Sequence, residues 1–214
     1  MTTALAAIAD SLGLALSVDE SARLLEYVAL LHRWNATYNL TAVRDPVDML
    51  TQHLADCLAL IPPLRRHLNR RDARFLDVGS GGGLPGVIVA IMLPNADVTC
   101  VDAVGKKAAF LRQAAGALRL PNLHAAHARV EQLKAPPFDV VTARAFASLA
   151  DLTILTRAQL RSSGIWVAMK GRTPDDEIAR LGPNVEVFHV EPLVVPGLDA
   201  PRCLVWMRPH GIAR

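Results

Sequence analysis

Residues 75–86 read FLDVGSGGGLPG: an apolar start, one carboxylate at Asp77, then five glycines among the eight positions 79–86. An apolar run that enters glycines and resumes as LPGVIVAIML is a strand turning sharply into a helix, with a backbone bare enough for close approach of a ligand. Downstream, apolar runs near 74–78, 97–102, 122–126, 138–143, 164–169, 184–190 and 202–208 predict strands, with helices between most pairs. That alternation specifies βαβ units, hence an α/β fold with a seven-stranded, mostly parallel sheet covered on both faces. Pro192, Pro196, Gly197 and Pro201 fill the last gap in place of a helix. The final pair is therefore expected to be a hairpin that gives the sheet an antiparallel edge strand. Ligands of such sheets bind at the carboxyl ends of the strands, where helix N-termini converge.

Upstream the chain reads as helical. Ser17-Val-Asp-Glu20 is a capping box, after which Leu24, Leu25, Val28 and Leu31 recur at helical spacing. Asp45-Pro46 is an N-cap followed by proline at the first helical position; Met49, Leu50, Leu54, Cys57, Leu58 and Ile61 mark the apolar face, and Pro62-Pro63 is expected to end it. Residues 1–73 are read as a helical extension with a basic linker and 74–214 as the main domain, packed as one unit. The linker LRRHLNRRDARF sets five arginines and a histidine around one aspartate. It reads as a solvated face or, more sharply, as a phosphate-contacting patch.

Composition bounds the partners. With 51% hydrophobic and 20% charged residues and no low-complexity tract, the 214 residues suit a compact fold rather than extended disorder. Residues 1–63 carry three arginines against seven acids, whereas 64–214 carry twenty Lys and Arg against thirteen. A basic main domain fits a polyanionic partner without demanding one. Cys57, Cys100 and Cys203 form no CxxC pair, which points to a reduced, cytoplasmic setting. The opening MTTALAAIADSLGLAL has no basic n-region and is interrupted by Asp10, so it reads as an amphipathic segment rather than a signal peptide. Val78 to Ala96 is uncharged over a membrane-spanning length, but its glycines and two prolines leave only a short helix, which reads as buried.

Three ligand classes compete for the glycine turn. A P-loop requires GxxxxGK[ST], and Val87 follows Gly86, so nucleotide hydrolysis is disfavoured. GxGxxG occurs as Gly81 to Gly86 with Asp102 downstream, a weak dinucleotide match within a glycine run. The other phase, DxGxGxG from Asp77 to Gly83, is common in methyltransferases that use S-adenosylmethionine (AdoMet). Asp77 favours this phase, because a carboxylate suits an ammonium and a sulfonium and repels a pyrophosphate. Asp102 at the second strand end is placed to accept from ribose hydroxyls. Each aspartate has a plainer reading as a turn residue or helix cap.

NLTAVRDPVDMLTQHLADCL, FLDVGSGGGLPGVIVAI, VDAVGKKAAFLRQ, ARVEQL, FDVVTARAFASL and MKGRTPDDEI follow in this order. Together they resemble the RsmG (GidB) family of bacterial small-subunit ribosomal RNA guanine-N7 methyltransferases, from about residue 24 to the C-terminus. RAFASL and the LPG-containing turn are more specific than the general AdoMet pattern. The resemblance implies a class I, Rossmann-like methyltransferase fold with a small N-terminal helical extension. It implies AdoMet as cofactor and N7 of a guanine in the decoding-region (530) loop of 16S rRNA, free or in the small ribosomal subunit, as acceptor. It also implies cofactor contacts from Gly79 and Leu84, from Val130 and Glu131 after the third strand, and from Arg144 after the fourth. To these the DxGxGxG phase adds Asp77 and Gly81, and the strand-end reading adds Asp102. The middle of the turn is often GPG in relatives and is GGG here.

Methyltransferases acting on exocyclic amines carry [ND]PP[YF] after the fourth strand, where this chain has Thr142-Ala-Arg-Ala-Phe146. Guanine N7 already holds an unprotonated in-plane lone pair, so no general base is needed and no proton-transfer residue is nominated. Candidate RNA contacts are Arg144, Lys106, Lys107 and Phe146, the last as a stacking surface. Their plainer readings are a salt bridge, a solvated lysine pair and a core aromatic. The seven histidines form no HExxH, and His124-x-x-His127 flanks a strand end, so no metal is expected. Asn39 reads as a turn residue, and Trp34, Trp166 and Trp206 as core or interface. A monomer without membrane attachment is expected. A nicotinamide-dependent oxidoreductase and a non-enzymatic RNA-binding assembly factor are the competing functions.

Overall fold

The computed structural model describes residues 1–68 and 72–211. The amphipathic opening forms α1 (Thr2–Ser11), which buries Leu5, Ile8 and Ala9. The helix α2 (Val18–Tyr38) starts at the expected capping box: Glu20 N donates to Ser17 Oγ at 3.1 Å and Ser17 N to Glu20 Oε2 at 2.7 Å. Asn39 ends it in the left-handed region, φ 49°, the turn role its type favours. After α3 (Pro46–Met49), capped by Asp45, the helix continues through a π-helical turn (Leu50–Ala55) into α4 (Asp56–Leu58). Pro62 and Pro63 do not end this helix. They stand in the first turn of α5 (Ile61–His67), where a missing N–H removes no helical bond.

Seven strands follow: β1 (Arg74–Val78), β2 (Asp97–Asp102), β3 (Leu123–His127), β4 (Phe138–Arg144), β5 (Leu160–Lys170), β6 (Val185–Leu193) and β7 (Arg202–Pro209). They form one sheet of order β3-β2-β1-β4-β5-β7-β6, with β1 to β5 parallel and β7 antiparallel to both its neighbours. The terminal hairpin lies at one edge as expected, but its antiparallel strand sits one place inside and β6 forms the edge. Side chains explain the order. Cys203 to Met207 of β7 are all buried, whereas β6 carries Glu186, His189, Glu191 and Pro192 and buries none of its residues fully, a composition that blunts a free edge.

Alternation along the strands feeds two cores. Phe75 and Val140 face one cluster, Leu76 and Val141 the other. The first cluster lies beneath α6 (Gly86–Met92) and α7 (Gly105–Ala117) and is continuous with the buried residues of α1 to α5. The second lies beneath α8 (Leu149–Thr156). Every residue of α6 is buried, because α2 packs on its outer side and β1 to β3 on its inner one. The uncharged run thus belongs to a sandwiched helix. No helix among the described residues is long and apolar enough to cross a membrane. All three cysteines are buried thiols, and Trp166 and Trp206 are fully buried core residues.

The basic linker is mostly tied to the protein itself. Arg65 donates to Met92 O at 3.1 Å, Arg66 pairs with Glu191, and Arg74 pairs with Asp97 at 2.9 Å while stacking on Phe138. Arg70 and Arg71 lie outside the described residues.

The extension also holds the glycine turn. Tyr27, fully buried in α2, donates its hydroxyl to Gly82 O at 2.6 Å, and burial pushes its pKa well above the usual phenol value, so it stays a donor. Tyr27→Phe leaves that buried carbonyl without its partner and should cost about 1–3 kcal/mol. Urea denaturation of the two proteins measures the difference.

Candidate active site

The strand order reverses between β1 and β4, and the loops leaving these two strands border a pair of cavities. The smaller, about 350 Å³, is lined by Gly79, Asp102, Lys107, Val130, Glu131 and Phe146 among others. The larger, about 530 Å³, is lined by residues that include His53, Asp56, Arg144, Phe146, Lys170 and Arg202. Ala145 and Phe146 belong to both walls.

Asp77 does not line either cavity. Its carboxyl is wholly buried behind the turn, where Oδ2 accepts from Gly86 N at 2.9 Å. Oδ1 has no hydrogen-bond partner among the described residues. Burial dominates its pKa and raises it to about 7, against the lowering effects of the Gly86 and Ser80 hydrogen bonds and the Arg144 charge. A Cβ on Gly86 would stand 2.8 Å from this carboxylate, so no other residue fits there. Asp102 is buried at the end of β2 and lines the smaller cavity. Its Oδ2 accepts from Gly81 N at 3.0 Å and Oδ1 from Val104 N at 2.8 Å. Each oxygen keeps a second lone pair for a ligand hydroxyl.

Gly79, Val130 and Glu131 come together with Asp102 in one wall system, as expected. Gly81 and Leu84 do not line the cavity: Gly81 is spent on Asp102, and Leu84 is buried in the core under the turn. Lys107 points into the cofactor-sized cavity, with Nζ 3.8 Å from Asp102 Oδ2, while Lys106 is exposed. The adjacent lysines therefore serve different faces. His124 and His127 do not converge: one meets Asp97 at 3.0 Å and the other Ala103 O at 3.2 Å.

Arg144 borders the larger cavity rather than the smaller. Its Nη1 donates to Asp56 Oδ2 at 3.0 Å and Gln52 O at 3.2 Å, and Nη2 lies 3.4 Å from His53 Nδ1. Arg202 Nε donates to the other Asp56 oxygen at 3.0 Å. One buried carboxylate thus clamps two guanidiniums. Burial, helped by the Arg144 charge, lowers the His53 pKa, so the imidazole is neutral at pH 7. With Nδ1 accepting from Arg144, Nε2–H donates to Thr41 Oγ1 at 2.6 Å. Sequence reading did not single out His53, Asp56 or Arg202. The signal was His53 and Asp56 three residues apart in the DPVDMLTQHLAD segment, a spacing that shares a helical face.

Phe146 separates the cavities. A Cβ on Gly79 would lie 2.7 Å from its ring, so only glycine permits this seat. Ala145 bends the chain there with φ 52°, a left-handed conformation that costs a non-glycine residue free energy and re-aims the next side chain.

The smaller cavity combines an orphaned buried carboxylate oxygen behind a bare glycine backbone, a strand-end carboxylate and the apolar Val130. That set fits a ligand with an ammonium, a ribose diol and a flat base, and the Asp77 carboxylate opposes a pyrophosphate. Removing Asp56 leaves two largely buried guanidiniums uncompensated, so Asp56→Ala should destabilise by about 3–5 kcal/mol. Arg202→Ala should cost less, since Asp56 keeps Arg144; denaturation midpoints compare the two.

Relatives place the chain in a family, and solved structures share its fold. The family described as rRNA small subunit methyltransferase G, GidB, matches residues 20–205. The ribosomal RNA small subunit methyltransferase G of Acidovorax ebreus (strain TPSY) is 60% identical over 209 residues, covering 94% of this chain and 92% of that one. Its counterpart in Leptothrix cholodnii is 58% identical, covering 96% and 94%. The crystal structure of TrmN from Thermus thermophilus shares the fold with TM-score 0.56 and 22% identity over 74% of this chain and 53% of that one. A SAM-dependent methyltransferase from Aquifex aeolicus does so with TM-score 0.58 and 13% identity over 76% and 93%. A doubly wound sheet whose switch point carries DxGxGxG, read with these matches over nearly its whole length, makes this chain a member of the GidB family of rRNA small subunit methyltransferases.

Proposed function

We propose that the protein transfers a methyl group from AdoMet to N7 of a guanine in the 530 loop of 16S rRNA, as a cytoplasmic monomer. The cofactor takes the smaller cavity and the target base the larger one. The carrying observation is the shared wall, Ala145 and Phe146, which sets the cavity at the glycine turn and the cavity at Arg144 side by side at the carboxyl ends of the strands. Family membership decides against the nicotinamide reading.

Bound AdoMet supplies an electrophilic methyl on a cationic sulfonium. Asp102 would hold the ribose, Val130 and Glu131 would take the base side of the cavity, and the Asp77 carboxylate would offset the ligand's positive charge from behind the turn. None of these residues moves a proton. The neutral His53 carries its proton on Nε2, fixed on Thr41, and stands outside the chemistry. Phe146 offers its ring to the guanine plane, and the Arg144 and Arg202 guanidiniums give the larger cavity the positive character that a phosphate backbone requires. Catalysis is alignment and exclusion of water around an intrinsically competent nucleophile.

Nucleoside mass spectrometry with fragment mapping tests the reaction, on 16S rRNA and on small subunits from a strain lacking the enzyme. A single 7-methylguanosine in the 530 loop is expected. Absence of methyl transfer together with retained RNA binding would establish the assembly-factor reading instead. Phe146→Ala removes a stacking surface worth roughly 1–3 kcal/mol. It should lower kcat/KM by about 5- to 150-fold, and because the ring also walls the smaller cavity, AdoMet affinity should fall too, by a smaller factor.

The pH dependence carries its own sign. A free-protein Asp77 pKa of about 7 leaves part of the population protonated at neutral pH. A cationic ligand favours the carboxylate, so binding releases a proton and AdoMet affinity rises with pH between about 6 and 8. Calorimetry in buffers of different ionisation enthalpy reads the proton release. Asp77→Asn should abolish it.

A further inference from the structure

Outside the lining of both cavities, the end of α5 meets the edge strand β6. There His67, His189 and Glu191 turn their ligand atoms toward one point, all within 4.8 Å of one another. Glu191 Oε2 lies 3.9 Å from His67 Nε2 and 3.9 Å from His189 Nε2. These separations exceed a hydrogen bond. Oε2 is buried and has no hydrogen-bond partner among the described residues, whereas the Arg66 guanidinium holds the same carboxylate through Oε1. A buried carboxylate oxygen without a donor costs free energy unless something else occupies its lone pairs.

The three side chains are also held in place. The His67 ring packs on the fully buried Trp206 with centroids 4.3 Å apart. His189 and Glu191 stand two residues apart on β6, hence on one face, and their backbones pair with Trp206 and Leu204 of β7. Both imidazoles are partly exposed, so an ion has a path in.

We infer that His67, His189 and Glu191 form a binding site for one divalent transition-metal ion of the zinc class. Two imidazole nitrogens and one carboxylate oxygen are a donor set such ions accept, with a fourth position left for water. Bonds of about 2.0–2.1 Å in tetrahedral geometry set donor atoms roughly 3.3 Å apart. The present spacing closes to that value by small rotations of two exposed side chains. Arg66 stays on Oε1 and leaves Oε2 as the ligand. The bound ion ties the last helix of the extension to the outermost strand of the sheet. The site is separate from methyl transfer and needs none of its residues.

The test uses the full chain, stripped with a chelator and titrated with zinc chloride against a chromophoric indicator, with cobalt(II) as a spectroscopic substitute. One equivalent should bind, raise the melting temperature by linkage, and give a visible cobalt spectrum of nitrogen and oxygen ligation. His189→Ala and Glu191→Gln should each weaken binding by about tenfold or more. Arg66→Ala removes a competing cation and should hold or tighten it. His124→Ala, an exposed imidazole beside Asp97 and outside the trio, should leave it unchanged. Metal-free melting curves establish that each variant folds. Failure to bind one equivalent, or equal binding by a His67→Ala, His189→Ala double variant, overturns the assignment.

Discussion

Everything at the working edge of this protein depends on a glycine turn held from three directions at once. Asp77, from the strand that enters the turn, accepts from Gly86 N; Asp102, from the neighbouring strand, accepts from Gly81 N; Tyr27, from the extension, donates to Gly82 O. A bare backbone is entropically expensive to fix. Three short-range anchors from three elements supply the order that side chains within the turn cannot. The same bareness admits Asp77 against Gly86 and Phe146 against Gly79, two approaches that any Cβ would block.

Holding the turn this way has an electrostatic consequence. Burial raises the Asp77 pKa to about 7, so the folded protein binds a proton between the unfolded value and neutrality. The stability associated with that proton is present at low pH and lost as pH rises through 7. A cation on the cavity side restores the ionised form. The anchor that shapes the turn thereby favours a positive charge on the cavity side without itself lining the cavity.

Much of this was legible in sequence. The strand positions, the fold class and Asp102 follow from local pattern, because a doubly wound sheet converts strand ends into a site by topology, whereas Gly79, Val130 and Glu131 came from the family resemblance and line the same cavity. Gly81, Leu84 and Asp77 were read as ligand contacts and are not among the residues lining the smaller cavity; a motif specifies that residues share a turn, not which side each presents. Arg144 was read as a contact to both cofactor and RNA, and it borders the larger cavity rather than the smaller. Its partner Asp56 is 88 residues away, and Asp56 meets Arg202 across 146 residues. Charge pairing over such separations leaves no periodicity to find. Pro62 and Pro63 were misread for another reason: proline stops a helix or starts one, and burial of Ile61 and Leu64 decided for the second.

The larger cavity takes Thr41, Gln52, His53 and Asp56 from the extension, and the rest of its lining from the ends of β4, β5 and β7, the loop after β4 and α8. Its cations must attract an RNA backbone, yet methylation at N7 places positive charge on the acceptor base, which unpaired guanidiniums would oppose. Asp56 reconciles the two demands. By bonding both Arg144 and Arg202 it cancels part of their charge at the proposed seat of the base. The π-helical turn contributes to this arrangement, since it brings the Gln52 carbonyl and the His53 ring to the same guanidinium that Asp56 holds. In the proposed arrangement the extension helps build the acceptor site as well as bracing the glycine turn. A methyltransferase sheet without it would keep a place for the donor but lack the neutralised wall that the acceptor needs.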